Sequence, residues 1–285
     1  LDRQPLSKPF KYMFMNKKEV IKESNYNVYV SRILDFNKIN KNLALKHYVT
    51  SLEKAFKEYL KNNPKPDIIQ AMVSIPAGYG ACLLGKKYNI PVVVQEHASY
   101  FLDFFKGDLK PFGEYVLNNS YFTTVSSFMA HELENLNGYK ADVLPNQVDI
   151  TKFKYQKKDH QELRLVIVSA FRKGKHVDHA LEALRVLVDN KRLDNFELTI
   201  VGEGMDNYYL DRCHSLDMDK YVKFVGRKTK DEVANIINNS DILIITSEKE
   251  TFGIPGIEAL AAGVPVISSK CGGPEEYLND KCGKL

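Results

Sequence analysis

Apolar positions along the chain follow two periods in turn. Over residues 41–60, Leu43, Leu45, Tyr48, Val49, Leu52, Phe56 and Leu60 recur at near-helical spacing with lysines on the other side, which predicts an amphipathic helix. NNPKP breaks it, and DIIQAM (67–72) reads as a short buried strand. The pattern then repeats. Residues 75–89 read as loop plus helix, 90–97 as a strand, 111–119 as a helix and 120–127 as a strand. Residues 127–136 read as a helix, Asn137-Gly138 as a turn and 140–146 as a strand. Strands separated by helices of about ten residues imply βαβ units and a parallel sheet.

Residues 145–162 are polar and lysine-rich without clear periodicity, and read as a linker. A second alternating set follows: LRLVIVSAF, VDHALEALRVLVDN, NFELTIVGEG, YVKFVGR, TKDEVANIINNS, DILIITS, then SEKETFGIPGIEALAAGVPVISS and PEEYLND. The expected fold class is α/β, with two Rossmann-like doubly wound domains, 1–153 and 154–285, facing a central cleft at the carboxyl ends of their strands. Both ends are expected to be incomplete. The first domain shows no strand–glycine loop–helix opening before residue 25, and the second shows no closing helices before Leu285.

Composition narrows the picture modestly. The chain has 285 residues, 44% hydrophobic and 27% charged, which suits a globular protein of two domains. No apolar run approaches the roughly 20 residues of a membrane span. The four cysteines show neither a C-x-x-C pair nor metal spacing, so reduced thiols and a cytoplasmic location are expected. Net charge is +4, yet residues 1–65 alone carry fourteen Lys/Arg against six Asp/Glu. Within them KPFKYMFMNKK (8–18) interleaves cations with aromatics, and peripheral contact with the inner face of a membrane is one reading; a solvated domain edge is the other. The acidic remainder and the lack of a binding motif argue against nucleic acid.

The sharpest chemistry lies in SEKETFGIPGIEALAAGVPVISS (247–269). Read as strand end, loop and helix, it places Pro255 in the first helical turn and Gly263 at the C-terminal stop. The amides of Phe252, Gly253 and Ile254 then face outward at a positive helix end, which suits a diphosphate. Gly253 and Gly256 would let a ligand come close to the backbone. Glu250 and Glu258 flank this turn, and carboxylates grip vicinal diols. Diol, diphosphate and diol together describe a nucleotide sugar. SAFRKGKHVD (169–178) offers Arg172, Lys173 and Lys175 at a strand end as phosphate cations. Gly202 and Gly204 of VGEG, and Val225 and Gly226 of VGR, end two further strands and could admit a flat base.

From about Asp67 to Leu285 the chain resembles the retaining glycosyltransferases of family 4, which have the glycosyltransferase B fold. The likeness rests on E-TFGIPGI-E with ALAAGVPVISSKCGGPEE, on SAFRKGKHVDHALEAL, and on VGEG, KFVGR, LPNQVD and PVVVQEHAS. It implies that Glu258 binds ribose, that Glu250 and the amides of residues 252–254 hold sugar and phosphates, and that Lys175 binds diphosphate. His97 in QEHAS resembles the family's cleft histidine near the donor sugar. The implied donor is a UDP-sugar or GDP-sugar and the acceptor a saccharide or lipid-linked hydroxyl. No metal or other cofactor is implied. The chain departs from the family at Ala170, where arginine is common, at His176, where glycine is common, and at Gln70, Met72 and Gln95. Three alternatives stand beside transfer. They are an epimerase or phosphorylase of the same fold, a non-catalytic nucleotide-sugar-binding fragment, and glycoside hydrolysis by the two glutamates. A hydrolase has no use for a diphosphate-shaped turn.

Overall fold

The structure, a computed structural model, describes residues 2–5, 18–22, 25–35, 41–156, 159–204 and 206–285. They fall into two compact units, Leu1–Thr123 and Thr124–Leu285. The basic stretch 8–18 lies outside the described residues except for Lys18.

The first unit opens with three strands, β1 (Asp2–Pro5), β2 (Lys18–Lys22) and β3 (Asn27–Asp35). β3 is central, parallel to β1 and antiparallel to β2. This sheet is not among the expected elements: β1 and β2 are short and polar, and only the NVYVSRI run of β3 carries β-branched residues in number. Helix α1 (Lys41–Tyr59) forms as expected, burying Leu45 and Tyr48, while Leu43 stays about half exposed at 49%. Its Tyr59 ring meets Tyr29 of β3 edge-on at 5.4 Å.

A second sheet runs β4 (Ile69–Met72), β5 (Val92–Glu96), β6 (Tyr121–Thr124), β7 (Asp142–Val143) in that order. α2 (Tyr79–Tyr88), α3 (Lys110–Asn119) and α4 (Ser127–Asn137) follow β4, β5 and β6. β4 is an edge strand, so only its Ala71 is buried and Met72 is exposed. The expected burial of DIIQAM therefore fails. β5 lies inside the sheet, and four of its five residues are buried, as parallel strands covered on both faces require.

The second unit is built on six parallel strands: β8 (Leu163–Val168), β9 (Phe196–Val201), β10 (Val222–Gly226), β11 (Ile242–Ile245), β12 (Val266–Ser268) and β13 (Gly283–Lys284). Their spatial order is β10-β9-β8-β11-β12-β13, the doubly wound order in which the winding reverses between β8 and β11. Alternate residues of β8 feed opposite faces. Leu165 and Ile167 pack with α5 (Val177–Asp189) and α6 (Asp206–Ser215) through Leu181, Leu184, Tyr209 and Cys213. Val166 packs on the other face with α7 (Lys230–Asn238) and α8 (Ile254–Ala261) through Ile237 and Ala259. α6 was not anticipated, since DNYYLDRCHS is too polar to advertise a buried stripe. PEEYLND, expected as a helix, makes only one turn of 3-10 helix, Gly273–Glu276.

The units divide at Thr123/Thr124, ahead of the 153/154 boundary expected from the lysine-rich linker. Two features explain the difference. Glu276 accepts hydrogen bonds from the Ser127 hydroxyl and the Phe128 amide, both at 2.8 Å, and Glu132 pairs with Lys249, so α4 is tied into the C-terminal unit. Phe153, inside the polar stretch, is 1% exposed and anchors it in the core beside Val166 and Leu243. All four cysteines are free. No helix among the described residues is long and apolar enough to cross a membrane.

Candidate functional site

Ligands of doubly wound sheets sit where the winding reverses. Here that point is the carboxyl end of β8 and β11, and it carries the motif. The loop after β8 turns back on itself, the Lys175 amide bonding to the Arg172 carbonyl at 3.1 Å. The loop after β11 lies alongside. Thr246 Oγ1 donates to the Lys175 carbonyl at 2.8 Å, and the Glu248 amide donates to the Gly174 carbonyl at 2.8 Å. Glu250 is fixed by its own backbone, its amide bonding Cys271 O at 2.7 Å and its carbonyl accepting from Gly273 N at 2.9 Å.

α8 begins after Gly253, whose φ of 78° lies in the left-handed region that favours glycine, with no side-chain cap and Pro255 in the first turn. Among the described residues no acceptor engages the amides of Phe252, Gly253 or Ile254. Tyr277 supports the turn from behind, donating its hydroxyl to the Gly253 carbonyl at 2.8 Å. Burial raises the Tyr277 pKa, so the hydroxyl stays a donor. A Cβ at Gly256 would stand 2.2 Å from that hydroxyl oxygen. Gly256 therefore makes room for Tyr277.

In front of this helix start stands an ion pair the sequence did not announce. Lys175 Nζ lies 2.5 Å from Glu250 Oε1, and Ser247 Oγ donates to the same oxygen at 2.7 Å. Both charged side chains are mostly shielded, 23% and 19% exposed. A cavity of about 20 Å³, room for roughly one water, remains among Ser169, Lys175, Ser247, Glu250, Gly253 and Pro255. The Lys175 ammonium has two further N–H donors to offer an anion here. Arg172 and Lys173 are exposed beside the loop. Glu258, in α8, is 9% exposed, and among the described residues its carboxylate has no hydrogen-bond donor. Burial raises its pKa, partly offset by the Lys230 ammonium.

Gly202 and Gly204 have a packing role. At φ 150° and 136°, Cβ atoms there would fall 1.8 Å from the Ser169 carbonyl oxygen and 2.3 Å from the Phe171 carbonyl oxygen. The Phe171 amide bonds Glu203 O at 2.8 Å and Gly202 N bonds Gly226 O at 3.0 Å. These glycines let the loops after β8, β9 and β10 lie flush. Val225 is half-buried against the core, next to a bulge that ends β10.

In the first unit, His97 follows β5. Its Nε2 is buried without a hydrogen-bond partner, and burial lowers its pKa, so the ring is neutral. The residue before it, not among the expected site residues, is Glu96. Glu96 is fully buried and accepts from the amides of Ser74, His97 and Ala98 at 2.7–2.8 Å and from the Ser74 hydroxyl. Burial pushes its pKa up while these donors pull it down. Glu96 thereby fixes the backbone that carries His97. The only sequence signal was an acidic residue ending a strand that is otherwise buried.

Two family models divide the chain between them. Residues 16–152 match Glycosyltransferase Family 4, and residues 148–283 match Glycosyl transferases group 1. The chain belongs to this glycosyltransferase family. An uncharacterized glycosyltransferase of Methanocaldococcus jannaschii is 27% identical over 217 residues, covering 75% of this chain and 59% of the relative. The chain spans about half the length of the curated relatives it matches, between 43% and 59% for the first three. Sucrose-phosphate synthase from Thermosynechococcus elongatus superposes with a TM-score of 0.72 at 17% identity, over 93% of this chain and 71% of that one. The Anabaena protein HepE, solved in complex with UDP-glucose, superposes at 0.66 and 17% identity, over 88% of this chain and 70% of that one. The fold is thus of glycosyltransferase B type, with two Rossmann-like units.

Proposed function

We propose that the protein transfers a sugar from a nucleoside-diphosphate sugar to a hydroxyl acceptor, with retention of configuration at the sugar. One observation carries the reading: an uncapped helix start with free amides, fronted by Lys175 and Glu250 and followed one turn later by a buried carboxylate without a donor. Amides and the positive helix end stabilise phosphate charge. Glu258, short of a donor, gains two from a ribose diol. Lys175, released from Glu250, meets the diphosphate, and Glu250 becomes free to accept from sugar hydroxyls.

Charge develops on the diphosphate as the glycosidic bond breaks. Preorganised amides stabilise that charge without reorganising, Lys175 adds its charge once released from Glu250, and Arg172 lies within the same loop to assist. The acceptor attacks from the leaving-group side, its proton passing to a phosphate oxygen, so no general base and no metal is required. A neutral His97 suits a hydrogen bond to a sugar hydroxyl better than it suits a cationic role.

The donor is a UDP-sugar or GDP-sugar, a choice favoured by the UDP-glucose complex of the Anabaena neighbour. The acceptor is a saccharide or lipid-linked hydroxyl in cell-surface polysaccharide or glycolipid synthesis. Relatives named for teichuronic acid, amylovoran and lipopolysaccharide synthesis support it. Such acceptors would place the enzyme in the cytoplasm at the inner membrane face. Incubation with UDP- and GDP-sugars, with and without candidate acceptors, tests the proposal. Acceptor-dependent release of nucleotide is expected. Nucleotide binding without release under any acceptor would leave the binding-fragment reading in its place.

A further inference from the structure

Beside the proposed donor site, but not part of it, the first turn of α5 gathers His176, Asp178 and His179. One ligand atom from each lies within 4.8 Å of the others. His176 holds φ 45°, a left-handed conformation uncommon for a non-glycine residue. The rings of His176 and His179 stack at 4.5 Å, 9° from parallel, as the i, i+3 spacing on a helix allows. Asp178 is oriented by the Tyr208 hydroxyl, which donates to Oδ2 at 2.9 Å and leaves the other oxygen available. Glu248, from the loop after β11, brings Oε2 to 3.7 Å from His176 Nε2.

We propose that His176, Asp178 and His179 bind a divalent transition-metal ion of the zinc type, with Glu248 closing the site as fourth ligand. Imidazole and carboxylate donors in this number suit zinc, cobalt or nickel, whereas magnesium and calcium prefer all-oxygen shells. Tetrahedral zinc with ligands at about 2.0–2.1 Å needs donor atoms roughly 3.3 Å apart. The His176, Asp178 and His179 atoms contract by up to about 1.5 Å to reach it, and Glu248, now near His176 alone, swings in as well; His179 is exposed and the Glu248 side chain is 77% exposed, so both are free to rotate. Two carboxylates neutralise the dication, and Tyr208 holds one of them as an outer-shell partner. The positive start of α5 opposes a cation, and the two acids set against it are the counterweight. Ligation unstacks the two rings, because the in-plane lone pairs of parallel imidazoles do not converge on one ion; His179 gives up only that stacking, and His176 gives up the stacking and a 3.7 Å contact with Glu248. The ion would clip the loop after β11 to the start of α5. The role is structural, and no step of the proposed transfer passes through it.

The test uses the full chain without a histidine tag. Titration with Co²⁺ is followed by visible absorption and with Zn²⁺ by calorimetry. One ion per chain is expected, with the intense absorption of four-coordinate cobalt. His179→Ala should weaken binding at least tenfold. His176→Asn, chosen because asparagine tolerates the left-handed backbone, should do the same with unfolding temperature unchanged in metal-free buffer. Binding weaker than millimolar, or binding that survives either substitution within threefold, overturns the proposal. A weak six-coordinate cobalt spectrum overturns it also. A Cys282→Ser control that abolishes binding would move the ion elsewhere and refute the site.

Discussion

Replacing Glu258 by glutamine should make the protein more stable and less able to bind nucleotide. The carboxylate is 9% exposed and lacks a hydrogen-bond donor among the described residues, so its charge is held at a cost. An uncompensated buried polar group costs about 1–3 kcal/mol; residual water contact and Lys230 place Glu258 low in that range, at roughly 1–2 kcal/mol. For a unit of this size each kcal/mol moves the unfolding temperature by about 2–4 °C, so Glu258→Gln should gain roughly 2–8 °C at pH 7.5.

The gain carries a pH signature. Burial raises the folded-state pKa above the usual 4.5, so the folded protein keeps this proton longer than the unfolded chain does. Wild-type stability therefore falls as pH rises above 4.5 through the folded value, and the glutamine variant lacks that contribution. The difference between the two should grow as pH rises above 4.5 and vanish below it. Calorimetric unfolding at several pH values reads both quantities, and UDP and GDP titration of the same variant reads binding. A variant less stable than wild type at pH 7.5 would mean that Glu258 holds the fold together, and the diol-binding role would lose its physical basis.

Other outcomes can be checked together. Gly202→Ala should cost more than about 3 kcal/mol, because the new Cβ meets a carbonyl oxygen at 1.8 Å, whereas Gly226→Ala meets open space and should cost about 1 kcal/mol for its φ of 68° alone, both read by denaturant unfolding. Phe153→Ala should cost about 3–5 kcal/mol by the same assay, since the ring is 1% exposed. Glu96→Gln replaces an acceptor-only carboxylate that takes four hydrogen bonds, so it should cost about 2–3 kcal/mol and shift the His97 NMR resonances, whereas the ring should stay neutral above pH 6.5 in wild type.

Much of the second unit was legible because a parallel strand buried on both faces writes itself as an apolar run. LRLVIV, FELTIV and DILII needed no partner to be recognised, and the glycine-proline turn marked the start of α8. What stayed hidden depends on pairs far apart in sequence. The Lys175–Glu250 contact joins residues 75 positions apart. Tyr277 reaches back to Gly253, and only that explains Gly256. Phe153 looked like part of a linker, because one buried ring among lysines leaves no periodic trace. Glu96 sat in plain view beside His97, but nothing in its spacing showed that three amides and a hydroxyl converge on it.

The central claim is that the start of α8, with Lys175, reads a diphosphate while Glu258 reads the nucleoside. Calorimetric titration of UDP, GDP and their nucleosides into wild type, Lys175→Met and Glu258→Ala tests it most directly. The diphosphates should bind wild type at least tenfold more tightly than the nucleosides. Lys175→Met should erase most of that advantage and leave nucleoside affinity within twofold, while Glu258→Ala should weaken both ligands alike. Nucleoside and diphosphate losing affinity equally in Lys175→Met, or no preference for the diphosphate in wild type, would contradict the account.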